Sequence, residues 1–167
     1  MRPLLEIQKI EHSDEIVWAG MMALYLAINR KRRNIGMEEY FAGVYLVGRY
    51  ALAPYWVNGG SLDEFARDVC GLTGPAWLYW IEFHEALKTK HLEGTLGLYS
   101  KELAGVLNHA ARLAMHSKRD GRKKRLLKVE HLMAALAARP NLKFTRRMLA
   151  SGAHLPGQMK VPTVPFQ

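Results

Sequence analysis

The chain has 167 residues, enough for one domain or for two small halves that share a core. Its 49% hydrophobic and 23% charged residues are an ordinary globular composition, which excludes a largely disordered chain. The single cysteine, Cys70, excludes a disulfide framework and a thiolate metal cluster, and it predicts a protein of the reducing cytoplasm. The formal charge of +9 favours an acidic protein partner, nucleic acid or an anionic membrane surface, and a solvated basic surface is the alternative.

Neither the start of the sequence nor its apolar runs predict a membrane segment. The first residues contain no long apolar stretch followed by small residues, so no secretory signal is expected. Residues 16–28 are uncharged but number only 13, and a helix needs roughly 20 residues to cross a bilayer. Residues 40–57 contain Arg49 and Pro54. Both runs are therefore predicted as buried helices, and no membrane partner is expected.

Helical spacing dominates the first half of the chain. Apolar and small residues recur at intervals of three and four over residues 16–27, which predicts a helix with one buried face. Ser13 directly precedes this run and is its predicted N-cap. A second helix is predicted over about 37–47, and a third runs from about residue 61 to near residue 71.

The second half has the same character. An aromatic-rich helix is predicted after Pro75 and ends at Gly94 and Gly97, and its run from Trp77 to Phe83 is expected to be core between the halves. A long helix starts at Ser100, and two further helices cover about 129–138 and a segment ending near residue 152. Since no segment alternates with period two, no sheet is predicted and the fold class is all-α.

The two halves resemble one another. A shift of 87 positions places Ser13 on Ser100 and the first helix on the long one, and a shift of 92 then places Glu38 on Glu130. The alternative is that two Ala/Leu-rich amphipathic helices align by chance. Taken as a duplication, the pattern predicts a single domain over 1–167 with an insertion at about 45–60. Its parts are repeat one (about 13–72), a connecting helix (about 75–92), repeat two (about 99–153) and a non-helical tail (154–167).

The doubled pattern resembles the Clp amino-terminal repeat domain, the twin-repeat module at the front of Clp-type protein unfoldases. Tyr99-Ser100 and the alanine-spaced helix after it are similar to the start of that family's repeat, and Val-Glu-His-Leu-Met-Ala-Ala-Leu at 129–136 is similar to its Glu-His hallmark. In the first half, residues 34–38 match the same hallmark, but Glu39 stands where the family usually has His. The resemblance covers nearly the whole chain.

This resemblance implies a stand-alone protein-binding module that docks substrates or adaptor proteins for a Clp-type ATP-dependent unfoldase. Some family members bind phosphorylated arginine in two equivalent pockets, each using the hydroxyl that starts the first helix and the glutamate of the hallmark. The matching residues here are Ser13 with Glu38, and Ser100 with Glu130. The alternative is structural: the serines are N-caps and the glutamates are first-turn acids that the helix dipole favours.

Two basic clusters occupy matching loops and suggest a second function. On one face they would neutralise several phosphates of a nucleic acid, although charge runs of this kind are commonly solvated loops. The clusters are Arg30, Lys31, Arg32 and Arg33 in the first half, and Lys118, Arg119, Arg122, Lys123, Lys124 and Arg125 in the second.

No motif points to catalysis. The sequence has no Walker-type Gly-rich loop with Lys-Ser/Thr, no HExxH pair and no nucleophile elbow, and its histidines show no metal-ligand spacing. His131 is expected to make a local hydrogen bond beside Glu130. We therefore expect a protein that is not an enzyme, with no metal and no cofactor, whose first-choice partner is a Clp-type ATPase, an adaptor or a client protein.

Overall fold

The computed structural model of the protein describes residues 6–56, 59–89, 99–117 and 125–156. Within these ranges most of the chain is helical, which confirms the prediction of a mainly α-helical fold. Two short 3-10 segments, Glu6–Lys9 and Ala53–Tyr55, accompany the α-helices. The helices are α1 (Asp14–Asn29), α2 (Met37–Leu52), α3 (Gly59–Asp68), α4 (Ala76–Lys88), α5 (Lys101–Met115), α6 (Val129–Ala137) and α7 (Lys143–Ala150).

A short parallel sheet links the two halves of the chain, and the prediction of no sheet was wrong. Strand β1 (Glu11–His12) pairs with β2 (Leu126–Leu127). The N–H of Ser13 continues this ladder by donating to the carbonyl of Leu127 at 2.9 Å. Strands of two residues are too short to show an alternating pattern, so the sequence carried no signal for them.

A second parallel contact joins the halves, and here the start of the second half pairs with the middle of the first. Ile35, just before α2, forms a bridge with Tyr99, just before α5. The N–H of Ser100 then donates to the carbonyl of Ile35 at 2.8 Å. Each half is therefore hydrogen-bonded, immediately ahead of its first long helix, to the middle of the other half.

Helices α1 and α2 approach closely because glycine lies in their contact. Ala19 and Ala23 are buried on α1, and Gly43 of α2 lies against them. A Cβ atom at Gly43 would lie 2.3 Å from the carbonyl oxygen of Ala19 and 3.1 Å from the backbone nitrogen of Ala23. Both distances are below van der Waals contact, so this packing of α1 on α2 requires glycine at position 43.

Helix α2 bends at Gly48, which has φ −136° and ψ 50°. The sequence predicted an end near Val47, where the helical backbone is interrupted, but the helix resumes and ends at Leu52. Beyond the bend, Arg49 donates to Asp63 of α3 at 2.9 Å and 3.1 Å. This exposed bidentate pair connects the second part of α2 to α3.

The insertion predicted at about 45–60 connects α3 to the end of α7, within the residues described. Trp56 is buried, and its indole N–H donates to the hydroxyl of Ser151 at 3.0 Å. Its ring packs on Phe65, with centroids 5.3 Å apart. The N–H of His154 donates to the carbonyl of Tyr55 at 2.7 Å. The described part of the insertion therefore has a structural role: it binds the segment that follows α7 to the rest of the protein.

The aromatic run of α4 does not form a core between the halves, and that prediction was wrong. Phe83 is buried and meets Trp18 and Tyr25 of α1 edge-on. In contrast, Trp77 is 63% exposed and Ile81 is 55% exposed. Aromatic residues at 77, 79, 80 and 83 fall on more than one face of a helix, so a helix that docks by one face cannot bury them all.

The last helix ends where the sequence predicted. Gly152 follows α7 with φ 101°, a left-handed conformation that glycine adopts without strain. His154 and Leu155 are non-helical, and Leu155 is buried. The rest of the predicted tail, 157–167, and the predicted helix end at Gly94 and Gly97 lie outside the described residues. None of the helices described is both long and apolar enough to cross a membrane.

Candidate functional site

The first candidate pocket, termed the Ser13 pocket, is an open cavity of about 660 Å³ where the starts of α1 and α6 meet β1 and β2. Ser13 and Glu130 both line it, together with Tyr55 from the segment after α2. Its charged lining residues are Glu11, Asp14, Glu15, Lys128 and Glu130.

The second candidate pocket, termed the Ser100 pocket, is an open cavity of about 430 Å³ where the starts of α5 and α2 meet α7. Ser100 and Glu38 both line it, and the buried side chains of Met37 and Phe144 also belong to its wall. Its charged lining residues besides the buried Glu39 are the partly buried Glu38 and the exposed Arg32, Lys101, Glu102, Lys143 and Arg147.

Each pocket therefore combines the serine of one half with the glutamate of the other. The sequence had suggested pairs within one half, Ser13 with Glu38 and Ser100 with Glu130, whereas the lining residues pair Ser13 with Glu130 and Ser100 with Glu38. The exchange follows from the two crossed backbone contacts, because each of them brings the start of a long helix to the hallmark segment of the other half.

Both serines act as helix N-caps. The hydroxyl of Ser13 accepts from the N–H of Ile16 at 3.4 Å, and that of Ser100 accepts from the N–H of Leu103 at 3.2 Å. The predicted capping role is thus confirmed, and it fixes the first turn of each helix at the edge of a pocket. The N–H groups of the first turn have no intrahelical acceptor, which makes each helix start able to receive an anion.

The two hallmark glutamates are first-turn residues, and Glu38 is partly buried. Glu38 has a side chain that is 42% exposed, and its carboxylate lies 3.9 Å from a guanidinium nitrogen of Arg147. Glu130 is exposed at the start of α6. A pair at this distance between exposed groups contributes little to stability, so both carboxylates remain accessible to a ligand.

The residues after these glutamates have the same capping role despite their different chemistry. Glu39 accepts from the N–H of Gly36 at 3.3 Å, and Nδ1 of His131 accepts from the N–H of Lys128 at 3.0 Å. The local hydrogen bond predicted for His131 is therefore confirmed. It also explains why Glu39 can stand where a histidine was expected, because either side chain satisfies the N–H that precedes its helix.

Protonation of His131 should weaken this cap. Burial lowers its pKa from the ordinary value of 6.5, more than the charge of Glu130 raises it. Between the two pKa values the unfolded chain binds more protons, so the stabilisation is complete above about pH 6.5 and is lost as the pH falls through the folded value. We expect urea unfolding to give a lower free energy at pH 5 than at pH 7.

The variant His131→Gln isolates this contribution. Glutamine keeps an acceptor for the N–H of Lys128 but does not titrate, so the difference between pH 5 and pH 7 should shrink. Part of the difference should persist through His109, whose pKa is also lowered by burial and by Arg139 and Arg112. An unchanged pH dependence in His131→Gln would show that the cap does not titrate.

Arg30 belongs to the interior and not to a basic partner surface, which corrects the sequence prediction. Its guanidinium donates to the carboxylate of Glu39 at 2.8 Å and to the carbonyl of Cys70 at 2.8 Å. The side chain of Glu39 is only 4% exposed and that of Arg30 is 21% exposed. This ion pair joins the end of α1, the start of α2 and the segment after α3.

The remaining basic residues are only partly described. Lys31, Arg32 and Arg33 are exposed, and Arg32 lines the Ser100 pocket. Arg125 is exposed beside β2. The other predicted members of the second cluster lie outside the described residues; they are Lys118, Arg119, Arg122, Lys123 and Lys124.

The two pockets carry opposite charge. Among the described residues that line it, the Ser13 pocket has the carboxylates of Glu11, Asp14, Glu15 and Glu130 and the ammonium group of Lys128. A hydrogen bond from Tyr50 lowers the pKa of Glu15, which keeps that carboxyl ionised. The described lining of the Ser100 pocket has four cations against the carboxylates of Glu38 and Glu102, and its third carboxylate, Glu39, is neutralised by Arg30. Sequence reasoning missed this difference, although the same shift that matches the serines places Lys101 on Asp14.

The only cysteine is not placed for catalysis. Cys70 is buried, and burial raises the pKa of its thiol, so the nucleophilic thiolate is disfavoured. Across the described ranges, no group of three or more His, Cys, Asp or Glu side chains is arranged to hold a metal ion. The geometry of both pockets instead suits the binding of a ligand at a capped helix start. No family model, no curated protein and no solved structure matches the chain.

Proposed function

We propose that the protein consists of two copies of one helical unit packed about an approximate two-fold axis. The reciprocal backbone contacts support this proposal. The N–H of Ser13 donates to Leu127 and the N–H of Ser100 donates to Ile35, at 2.9 Å and 2.8 Å. Under the shift of 87 positions Ser13 corresponds to Ser100, and under the shift of 92 positions Ile35 corresponds to Leu127. The two hydrogen bonds therefore join corresponding residues of the two halves. A chance likeness between two amphipathic helices gives no reason for this exchange.

The function that this arrangement supports best is that of a protein-binding module of the Clp amino-terminal repeat kind. In that role it recognises substrates or adaptor proteins for a separate Clp-type ATP-dependent unfoldase in the cytoplasm. The observation that carries the proposal is the pair of pockets, each made by a serine-capped helix start from one half and a glutamate from the other. Both pockets hold the residues that the resemblance assigns to ligand contact.

The chemistry of such a pocket suits an arginine side chain that carries a phosphoryl group. A carboxylate accepts two parallel hydrogen bonds from a planar guanidinium. The N–H groups of a helix start bind an anion. Since the glutamate and the helix start line the same cavity, one ligand with a cation and an anion side by side can use both.

Binding of a phosphoarginine-containing peptide tests the proposal. We expect the double variant Glu38→Ala, Glu130→Ala to bind at least about tenfold more weakly than the unaltered protein, because a hydrogen-bonded charge contributes about 1.5–3 kcal/mol. Isothermal titration calorimetry measures the affinity. Glu64→Ala, an exposed glutamate on α3 that lines neither pocket, is the matched control and should bind normally.

Two outcomes would contradict the proposal. Binding that the double variant leaves intact would reduce both glutamates to helix-terminal acids. Retention on DNA that falls steeply with added salt, together with no peptide binding, would favour the nucleic-acid function predicted second. That function depends on basic clusters of which Arg30 is already engaged by Glu39.

A further inference from the structure

The two pockets differ in charge although their polar frames correspond. Both contain a capping serine and a first-turn glutamate. Around these groups the described lining of the Ser13 pocket places two more carboxylates at the start of α1, those of Asp14 and Glu15. An anionic ligand entering the Ser13 pocket would therefore meet like charges at the helix start itself, which opposes the attraction of the helix dipole.

The Ser100 pocket has the opposite surroundings. Its described lining includes the cations of Arg32, Lys101, Lys143 and Arg147 against the carboxylates of Glu38 and Glu102. These cations come from three separate segments: the loop after α1, the start of α5, and α7. An anion at the start of α5 would thus be approached by positive charge from several sides, in addition to the N–H groups of the first turn.

We propose that the Ser100 pocket alone accepts the phosphoryl group of a modified protein side chain, so that each chain binds one phosphorylated residue and not two. This inference rests on the proposed function. The phosphoryl oxygens lie at the start of α5 and contact Lys101, Lys143 and Arg147. The guanidinium of the ligand pairs with Glu38 and displaces Arg147, whose present distance of 3.9 Å from that carboxylate leaves it free to turn to the phosphoryl group.

The number of ligands bound per chain tests the proposal. Titration calorimetry with a phosphoarginine-containing peptide should give one site in the unaltered protein, and Glu38→Ala should bind the peptide at least about tenfold more weakly. If the Ser13 pocket also accepts the ligand, the unaltered protein gives two sites and Glu38→Ala keeps one. That result would overturn the charge argument and leave the proposed function standing, whereas no binding to the unaltered protein would count against the proposed function itself.

Single cation variants test the contacts within the pocket. Lys143→Ala and Arg147→Ala remove exposed side chains, and each should weaken peptide binding by about tenfold through loss of a charge-assisted hydrogen bond. Lys88→Ala, an exposed lysine at the end of α4 that lines neither pocket, is the matched control. Normal affinity in both pocket variants would overturn the assignment of the phosphoryl group to this cavity.

Two further probes identify the source of the phosphoryl group. Inorganic phosphate and a phosphoserine-containing peptide offer the same oxygens but no guanidinium for Glu38. Both should bind at least about tenfold more weakly than the phosphoarginine peptide. Equal binding of the three probes would overturn the role of Glu38.

Discussion

Gly43→Ala is expected to lower the free energy of unfolding by about 3 kcal/mol, the upper part of the usual range for overpacking a core. The added methyl group would lie 2.3 Å from the carbonyl oxygen of Ala19, so α1 and α2 must move apart. The nearest atoms belong to the backbone of α1 and cannot turn aside as a flexible side chain can. Urea unfolding followed by circular dichroism measures the change.

Gly20→Ala is the matched control, since it makes the same substitution within α1. No atom lies within 4 Å of the Cβ position at Gly20. The variant should therefore gain the helix propensity of alanine without strain, a stabilisation of about 1 kcal/mol. If Gly43→Ala were also stabilising, α1 and α2 would not approach as closely as described.

The helices were predictable from the sequence because each one carries a local signal. The start of α1 followed from Ser13 and a three-four apolar stripe, and the structure begins the helix at Asp14. The interruption of α2 at Gly48 lies next to the predicted end near Val47. Such features depend on neighbouring residues along the chain, which a single sequence contains in full.

The crossed contacts between the halves had no such signal. β1 and β2 contain two residues each and lie far apart in sequence, so neither propensity nor periodicity could pair them. Their pairing decides which glutamate joins which serine. The residues of the candidate pockets could therefore be named from the sequence, but their grouping into Ser13 with Glu130 and Ser100 with Glu38 could not.

The charge difference between the two pockets could be predicted from the sequence only in part. Lys101 replaces Asp14 under the same shift that relates the serines, so this part of the difference was present in the sequence. Lys143 and Arg147 belong to α7, whose match to the first half is loose, and only the tertiary packing brings them to the Ser100 pocket. The full charge difference between the two pockets therefore depends on the tertiary packing of α7 as well as on the sequence at the helix starts.

Glu39→Ala is expected to destabilise the protein by about 3–5 kcal/mol, the range for removing one partner of a buried ion pair. The carboxylate of Glu39 is 4% exposed and meets the guanidinium of Arg30 at 2.8 Å. Without it, Arg30 keeps its bond to the carbonyl of Cys70 but loses its ion-pair partner. The N–H of Gly36 also loses its acceptor, which weakens the start of α2. Urea unfolding at neutral pH measures the loss.

The neighbouring Glu38→Ala supplies the control, because the side chain of Glu38 is 42% exposed and its pair with Arg147 spans 3.9 Å. Its effect on stability should stay within about 0.5 kcal/mol, so any loss of ligand binding in this variant reflects the pocket and not the fold. Glu39→Gln should fall between the two, since it keeps the acceptor for Gly36 and loses the charge opposite Arg30. Replacing Arg30 and Glu39 together by methionine should recover much of the stability that Glu39→Ala loses, because no unpaired charge is then left buried. Equal stability of Glu38→Ala and Glu39→Ala would mean that the buried pair does not hold α1 to α2.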